Sequence, residues 1–266
     1  MTTEINKENY INIDGKNLYY EFINKDFFSE GKTLLVFLHE GLGCSELWRD
    51  FPLFVSNATK SPVLLYDRYG YGKSEGLKEN RTQDYMHTEA LKTLPEFFKN
   101  LDLETYPKIL IGHSDGGSIS IIYAGRFSEN LKGIITEAAH LFTEEITQSG
   151  IKEVKKTFES GNLKRMLKKY HGEKTDSMFY GWADTWLAFE AGNWNIEEYL
   201  KGIKVPVLAI QGTDDEYGSA KQLESIKKGV GNMASTELIP DCGHIPHFQS
   251  KDLVFKLITD FVAKNK

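Results

Sequence analysis

Residues 108–127 read KILIGHSDGGSISIIYAGRF, and this stretch decides the fold. A short apolar run, Ile109 to Ile111, stops at Gly112-His113-Ser114-Asp115-Gly116, and Gly117 to Phe127 then carries apolar residues at helical spacing. The order is strand, tight turn, helix. The glycines flanking Ser114 have a steric reason: a serine held at positive φ on a sharp turn brings neighbouring backbones so close that a Cβ two residues away would clash. Such strain lifts the hydroxyl into a cleft. The bland alternative is that Ser114 only caps the helix, a role serine often takes.

The string G-x-S-x-G recurs at Gly72-Lys73-Ser74-Glu75-Gly76, and context separates the two. Ser74 follows a loop, DRYGYG, and precedes polar LKENRTQ, which supplies no apolar helix to close a turn. Ser114 is therefore the candidate nucleophile.

Outward from the elbow, further β-rich apolar runs occur at Thr33 to Leu38, Val63 to Tyr66, Gly133 to Thr136 and Val205 to Ile210, with another strand candidate at Ser235 to Ile239. Unbroken runs suit strands covered on both faces, as in a parallel sheet. Helical spacing appears between them at Glu89 to Phe98, weakened by Pro95, and at Ser219 to Lys228. Alternation of this kind predicts an open α/β sheet with right-handed crossovers. The segment YINIDGKNLYYEFI reads instead as an antiparallel hairpin around Asp14-Gly15, at a sheet edge. Residues 140–202 contain no strand-like run and carry Phe179, Tyr180, Trp182, Trp186, Phe189 and Trp194. So long a connection predicts a helical insertion above one edge of the sheet.

Composition bounds the partners. The 266 residues are 40% apolar and 12% aromatic, with 32 basic and 38 acidic side chains and a formal charge of −6. At roughly 150 residues per domain two units are conceivable, but one α/β domain with an insertion is the better expectation. Mild acidity disfavours nucleic acid and anionic membranes, which need clustered Lys and Arg, and leaves a small molecule as the expected partner. No run approaches the roughly 18 apolar residues of a membrane helix, and MTTEINKENY is polar where a secretion signal is apolar, so the expected location is cytoplasmic. Cys44 and Cys242 lack paired zinc-site spacing and read as free thiols; no metal or cofactor is expected.

Ligands of open α/β sheets sit beyond the carboxyl ends of the strands. A serine there needs a base to take its proton and a carboxylate to orient the base. After the 205–210 run stand Gly212-Thr213-Asp214-Asp215, and after 235–239 stand Asp241-Cys242-Gly243-His244.

With these residues in place the chain resembles the α/β-hydrolase fold superfamily. GHSDGG at 112–117, QGTDD at 211–215, CGH at 242–244, HEGLG at 39–43 and DRYGYGKS at 67–74 follow the family's order across nearly the whole chain. The resemblance implies an α/β fold with an eight-stranded, mostly parallel sheet, helices on both faces, and a helical cap between strands six and seven. Core would be 1–139 with 203–266, and cap 140–202. It makes Ser114 the nucleophile, His244 the general base and Asp215 the orienting acid, with Asp214, His247 and Glu137 as rivals. The backbone amides of Gly41 and Asp115 would hold the oxyanion. Asp115 departs from the family pattern by placing a carboxylate beside developing negative charge, and is expected to point away. Glu40 departs where the family more often has glycine; it either lines the pocket or is merely solvated, the second being the expectation. His39 and His113 are expected to be structural. His140, Trp182 and Trp186 are candidates for pocket lining, although the helical spacing of Trp182, Trp186 and Phe189 also fits a helix burying its apolar face.

The implied activity is hydrolysis of a small to medium carboxylic ester through an acyl-serine. Carbon–carbon, lactone or thioester hydrolysis would use the same three residues, and a non-catalytic ligand-binding protein is the alternative of another class. A dinucleotide site at Gly41-Leu42-Gly43 is disfavoured because Glu46 stands where the third glycine belongs.

Overall fold

The computed structural model describes residues 9–28, 32–189 and 193–266. Most of the polar N-terminal stretch, and 190–192 of the expected insertion, lie outside them. Eight strands form a single sheet: β1 (Tyr10–Ile13), β2 (Lys16–Ile23), β3 (Leu34–Leu38), β4 (Val63–Tyr66), β5 (Lys108–His113), β6 (Leu131–Glu137), β7 (Val207–Gly212) and β8 (Ala234–Ile239), in the order β1-β2-β4-β3-β5-β6-β7-β8. β1 pairs antiparallel with β2 in the register Tyr10↔Tyr19 to Ile13↔Lys16. Asp14 and Gly15 take φ 49° and 74°, the left-handed turn that matches strand twist in a two-residue hairpin. β2 runs antiparallel to β4, and the remaining pairs are parallel.

Every residue of β3, β4, β5 and β7 is buried, which is why these stretches read as continuous apolar runs. Alternate side chains feed two cores: Leu34, Val36, Leu38 and Leu110 go to one face, Leu35, Phe37, Ile109 and Ile111 to the other. Covering helices are α1 (Phe51–Thr59), α2 (Tyr85–Thr88), α3 (Leu94–Asn100), α4 (Asp115–Arg126), α8 (Lys221–Val230), α9 (Pro246–Gln249) and α10 (Lys251–Asn265), while α5 (Glu145–Glu159), α6 (Asn162–His171) and α7 (Thr175–Ala188) lie between β6 and β7. No helix among the described residues is long and apolar enough to cross a membrane.

Two local expectations are modified. The helix expected over Glu89–Phe98 is longer and is interrupted by a π turn, Glu89–Thr93, joining α2 to α3. Pro95 has no N–H to donate and its ring would strike the carbonyl four residues back, so the widened turn before it absorbs both defects. At the far end of the expected insertion, Glu197–Gly202 forms a 3₁₀ turn packed against α4, where a Cβ on Gly202 would overlap the Gly125 carbonyl. Within the insertion, α5 and α7 are joined by aromatic contacts, including Phe158 stacked on Phe179.

Candidate active site

The β5–α4 turn is the elbow. Ser114 sits at φ 52°, ψ −116°, and a Cβ on Gly116 would overlap the Leu38 carbonyl while one on Gly112 would overlap the Gly116 carbonyl. The Ser114 N–H is tied to the Glu137 carbonyl at 2.8 Å, which fixes the turn to β6. Ser74, in the duplicate motif, is occupied differently: its hydroxyl donates to the Asp67 carbonyl at 2.5 Å and accepts from the Tyr19 amide at 2.8 Å. It is a loop clasp.

Asp215 follows β7 with its side chain fully buried, and its Oδ1 meets His244 Nδ1 at 2.8 Å. The Tyr217 amide donates to the same oxygen at 2.9 Å, and Gln211 Nε2 donates to Oδ2 at 2.5 Å. Burial acts to raise the Asp215 pKa, but the adjacent His244, the His140 ring and the Tyr217 N–H more than offset it, holding the group below its ordinary value. Asp214 is exposed, and among the described residues its carboxylate accepts only from its neighbour Thr213. His247 is buried and pairs with Glu137 Oε2 at 3.0 Å through Nδ1 and at 3.0 Å through its amide. His247 and Glu137 are thus engaged with each other, and Asp214 lies at the surface.

His244 lies beside the elbow. His113, the residue before Ser114, donates from Nε2 to the His244 carbonyl at 2.7 Å, and the two rings lie 5.1 Å apart. Among the described residues no hydrogen bond joins Ser114 Oγ to His244; catalytic hydrogen bonds of this kind tighten around substrate. Asp215→Asn is expected to cut turnover at least about 100-fold by removing the anion that orients the imidazole, whereas Asp214→Asn stays within about threefold of the wild type. Steady-state kinetics on the two variants checks this; the opposite ranking would make Asp214 the acid.

The loop after β3 completes the site. The Glu40 carbonyl accepts from Arg68 Nη2 at 2.7 Å, from His39 Nδ1 at 2.8 Å and from the Gly43 amide at 3.2 Å. Both His39 ring nitrogens are taken by backbone groups, Nδ1 by the Glu40 carbonyl and Nε2 by the Arg68 amide. Gly41 lies directly under Trp182, whose indole would overlap any Cβ placed there. The expectation that Glu40 is simply solvated fails. Its carboxylate is only 25% exposed and faces His113 Nδ1 at 3.6 Å, an ion contact too long for a hydrogen bond. Burial works to raise the Glu40 pKa, yet His113 pulls it down to about 2, and the same contact raises His113 against its own burial. The Asp115 carboxylate, expected to point away, is fully buried and receives Arg68 Nη1 at 3.2 Å, Tyr85 Oη at 2.6 Å and Trp186 Nε1 at 3.2 Å.

A family model described as the alpha/beta hydrolase fold matches residues 33–251. The chain belongs to that family. It is similar to a proline iminopeptidase of Saccharolobus solfataricus, 24% identical over 96% of this chain and 92% of that protein. It is also similar to a pimeloyl-[acyl-carrier protein] methyl ester esterase of Wigglesworthia glossinidia brevipalpis, 29% identical over 90% of this chain and 99% of the relative. The enol-lactonase structure from Burkholderia xenovorans LB400 superposes with a TM-score of 0.71 at 18% identity, covering 96% and 99% of the two chains.

In this α/β-hydrolase the insertion is fastened to the site loops. His171, at the end of α6, accepts the Gly72 N–H on Nδ1 at 2.9 Å and donates from Nε2 to the Leu42 carbonyl at 3.0 Å, which assigns the proton to Nε2. Trp182, Trp186 and Phe189 are all buried; Trp186 also stands 5.3 Å from the His140 ring and bonds Tyr85. His140 donates from Nε2 to the Tyr217 carbonyl at 3.0 Å, beside His244. Arg68, Tyr85, Gln211 and His171 are not singled out by the sequence. The one available signal was Arg68's place in the DRYGYGKS segment, just past the apolar Val63–Tyr66 run. Among the described residues no group of three or more His, Cys, Asp or Glu is gathered as a metal site.

Burial holds His39, His140 and His171 below the ordinary histidine value of 6.5. An unfolded chain takes up these protons first, so the stability they contribute is complete above about pH 6.5 and drains away as pH falls below it; His113, raised, opposes them. The melting temperature should therefore fall from pH 7.5 to pH 5.5, less steeply in His171→Asn. Calorimetry at both values checks this, and an unaltered slope in the variant would remove His171 from the account.

Proposed function

We propose that the chain is a serine hydrolase that cleaves a small to medium carboxylic ester through an acyl-Ser114 intermediate. The observation that carries this reading is the 2.8 Å contact of His244 Nδ1 with buried Asp215 Oδ1, opposite an elbow serine at φ 52°. Asp215 keeps the proton of the resting imidazole on Nδ1, so Nε2 is the basic nitrogen. As Ser114 Oγ bonds to the carbonyl carbon, its proton passes to Nε2 and the carbonyl electron pair becomes an oxyanion held by the Gly41 and Asp115 amides. Collapse breaks the carbon–oxygen bond, and the leaving alcohol takes the proton from His244. Water then repeats the sequence on the acyl-enzyme, releasing the acid and restoring Ser114.

Residues 140–202 serve in this reading as the cap, with Trp182 and Trp186 roofing the acyl pocket. A relative named for a methyl ester supports the choice of bond, and one named an iminopeptidase keeps an amide bond in view. A panel of p-nitrophenyl acyl esters from two to twelve carbons, with an aminoacyl naphthylamide alongside, tests it on wild type and Ser114→Ala. Ester turnover that peaks at one chain length and falls about 10³-fold or more in the variant is expected. Naphthylamide cleavage without ester cleavage would replace the reading, and a flat, Ser114-independent panel would end it.

A further inference from the structure

Arg68 is 1% exposed, and its two terminal nitrogens diverge, one onto the loop after β3 and one onto the first residue of α4. Nη2 donates to the Glu40 carbonyl at 2.7 Å, and Nη1 donates to Asp115 Oδ2 at 3.2 Å. Arg68 reaches Glu40 a second way. Its backbone N–H donates to His39 Nε2 at 3.1 Å, leaving the ring proton on Nδ1, which donates to the same Glu40 carbonyl at 2.8 Å. The peptide from Glu40 to Gly41 is trans, as no cis bond occurs among the described residues. In a trans peptide the C=O and the following N–H point in opposite directions, so gripping the Glu40 oxygen aims the Gly41 N–H away from the guanidinium. The second partner, Asp115, carries the other oxyanion amide on its own backbone.

We propose that Arg68 is a positioning residue: one guanidinium sets both oxyanion-hole amides, Gly41's through the Glu40 carbonyl and Asp115's through its carboxylate, and Asp115 is retained beside the reaction centre as the counter-charge of Arg68. This rests on the serine hydrolase reading above. A bare carboxylate one residue from the nucleophile would oppose the developing oxyanion in a poorly screened setting; paired with Arg68 and bonded by Tyr85 and Trp186, it presents little net charge. Tyr71, 4.6 Å from the guanidinium, supports its plane. The departure at Asp115 and the buried arginine opposite it are then one device.

Arg68→Lys tests the geometry, because an ammonium keeps the charge but cannot fork between two acceptors. The kcat on the best ester of the panel is expected to fall about 30- to 100-fold with KM within about threefold, and affinity for an alkyl boronic acid, a tetrahedral mimic, should fall by a similar factor. The melting temperature should stay near wild type, a separation that a purely structural role would not produce. Should the lysine variant fail to fold, Arg68→Met combined with Asp115→Asn removes both charges without stranding either, and low kcat in that folded protein is the expected result. Wild-type kcat and boronate affinity in whichever variant folds, or a loss confined to KM, overturns the proposal. A failure of the underlying reading looks different: the wild type itself is then inert to a fluorophosphonate at Ser114, and the inference falls with it.

Discussion

Ser114→Ala is expected to lower kcat/KM for the preferred ester by about 10³-fold or more while leaving the melting temperature within about 2 °C of wild type. On the acyl-serine reading, the change removes the atom that forms the acyl bond and nothing else the fold depends on. The backbone tie from Ser114 N–H to the Glu137 carbonyl survives, and alanine bears the positive φ no worse than serine. Turnover above the uncatalysed rate remains, because the Gly41 and Asp115 amides still bind an oxyanion. Intact mass after fluorophosphonate treatment provides the second readout: one adduct on wild type, none on the variant. Equal loss in Ser74→Ala with normal labelling of Ser114→Ala would transfer the chemistry to the duplicate motif. The clasp that Ser74 makes with Asp67 and Tyr19 predicts a stability defect there instead.

The second large effect is steric. Gly116→Ala is expected to cost roughly 3 kcal/mol or more and to abolish activity in whatever protein folds. The added methyl would overlap the Leu38 carbonyl, a backbone atom at the end of a central strand that has no side-chain rotamer through which to yield. Any relief must push α4 off β3, and with it the amide of Asp115. Gly76→Ala, at the matching position of the duplicate motif, meets nothing closer than 3.5 Å, at the flexible Lys174 side chain, and should cost less than about 1 kcal/mol. Urea midpoints of the two variants, compared with wild type, read the contrast directly. Equal costs would mean that the elbow relaxes and that its tightness is not what holds Ser114.

Much of this site was legible because it is local. The helix periodicity after Ser114, the paired positive-φ residues Asp14 and Gly15, and the unbroken runs of β3 to β7 depend on residues within a turn or two of one another, and neighbouring side chains carry that information. The elbow serine could likewise be chosen over Ser74 because its flanking strand and helix are contiguous with it. The family resemblance extended the reading to His244 and Asp215.

The sequence by itself therefore determined an α/β sheet with an edge hairpin, a long helical insertion and a strained serine at a strand end. Tertiary structure alone decided which neighbouring aspartate is buried, that Glu137 belongs to His247 across 110 residues, that Glu40 turns to His113, and that Arg68 and Asp115 meet across 47. Adjacent aspartates such as 214 and 215 are alike in propensity and differ only in which way the chain turns after β7. The physical reason is range: secondary structure follows from steric and solvation preferences repeated along the chain, whereas a buried charge finds its partner only where separate strand ends and loops are brought together in a medium that penalises leaving it alone.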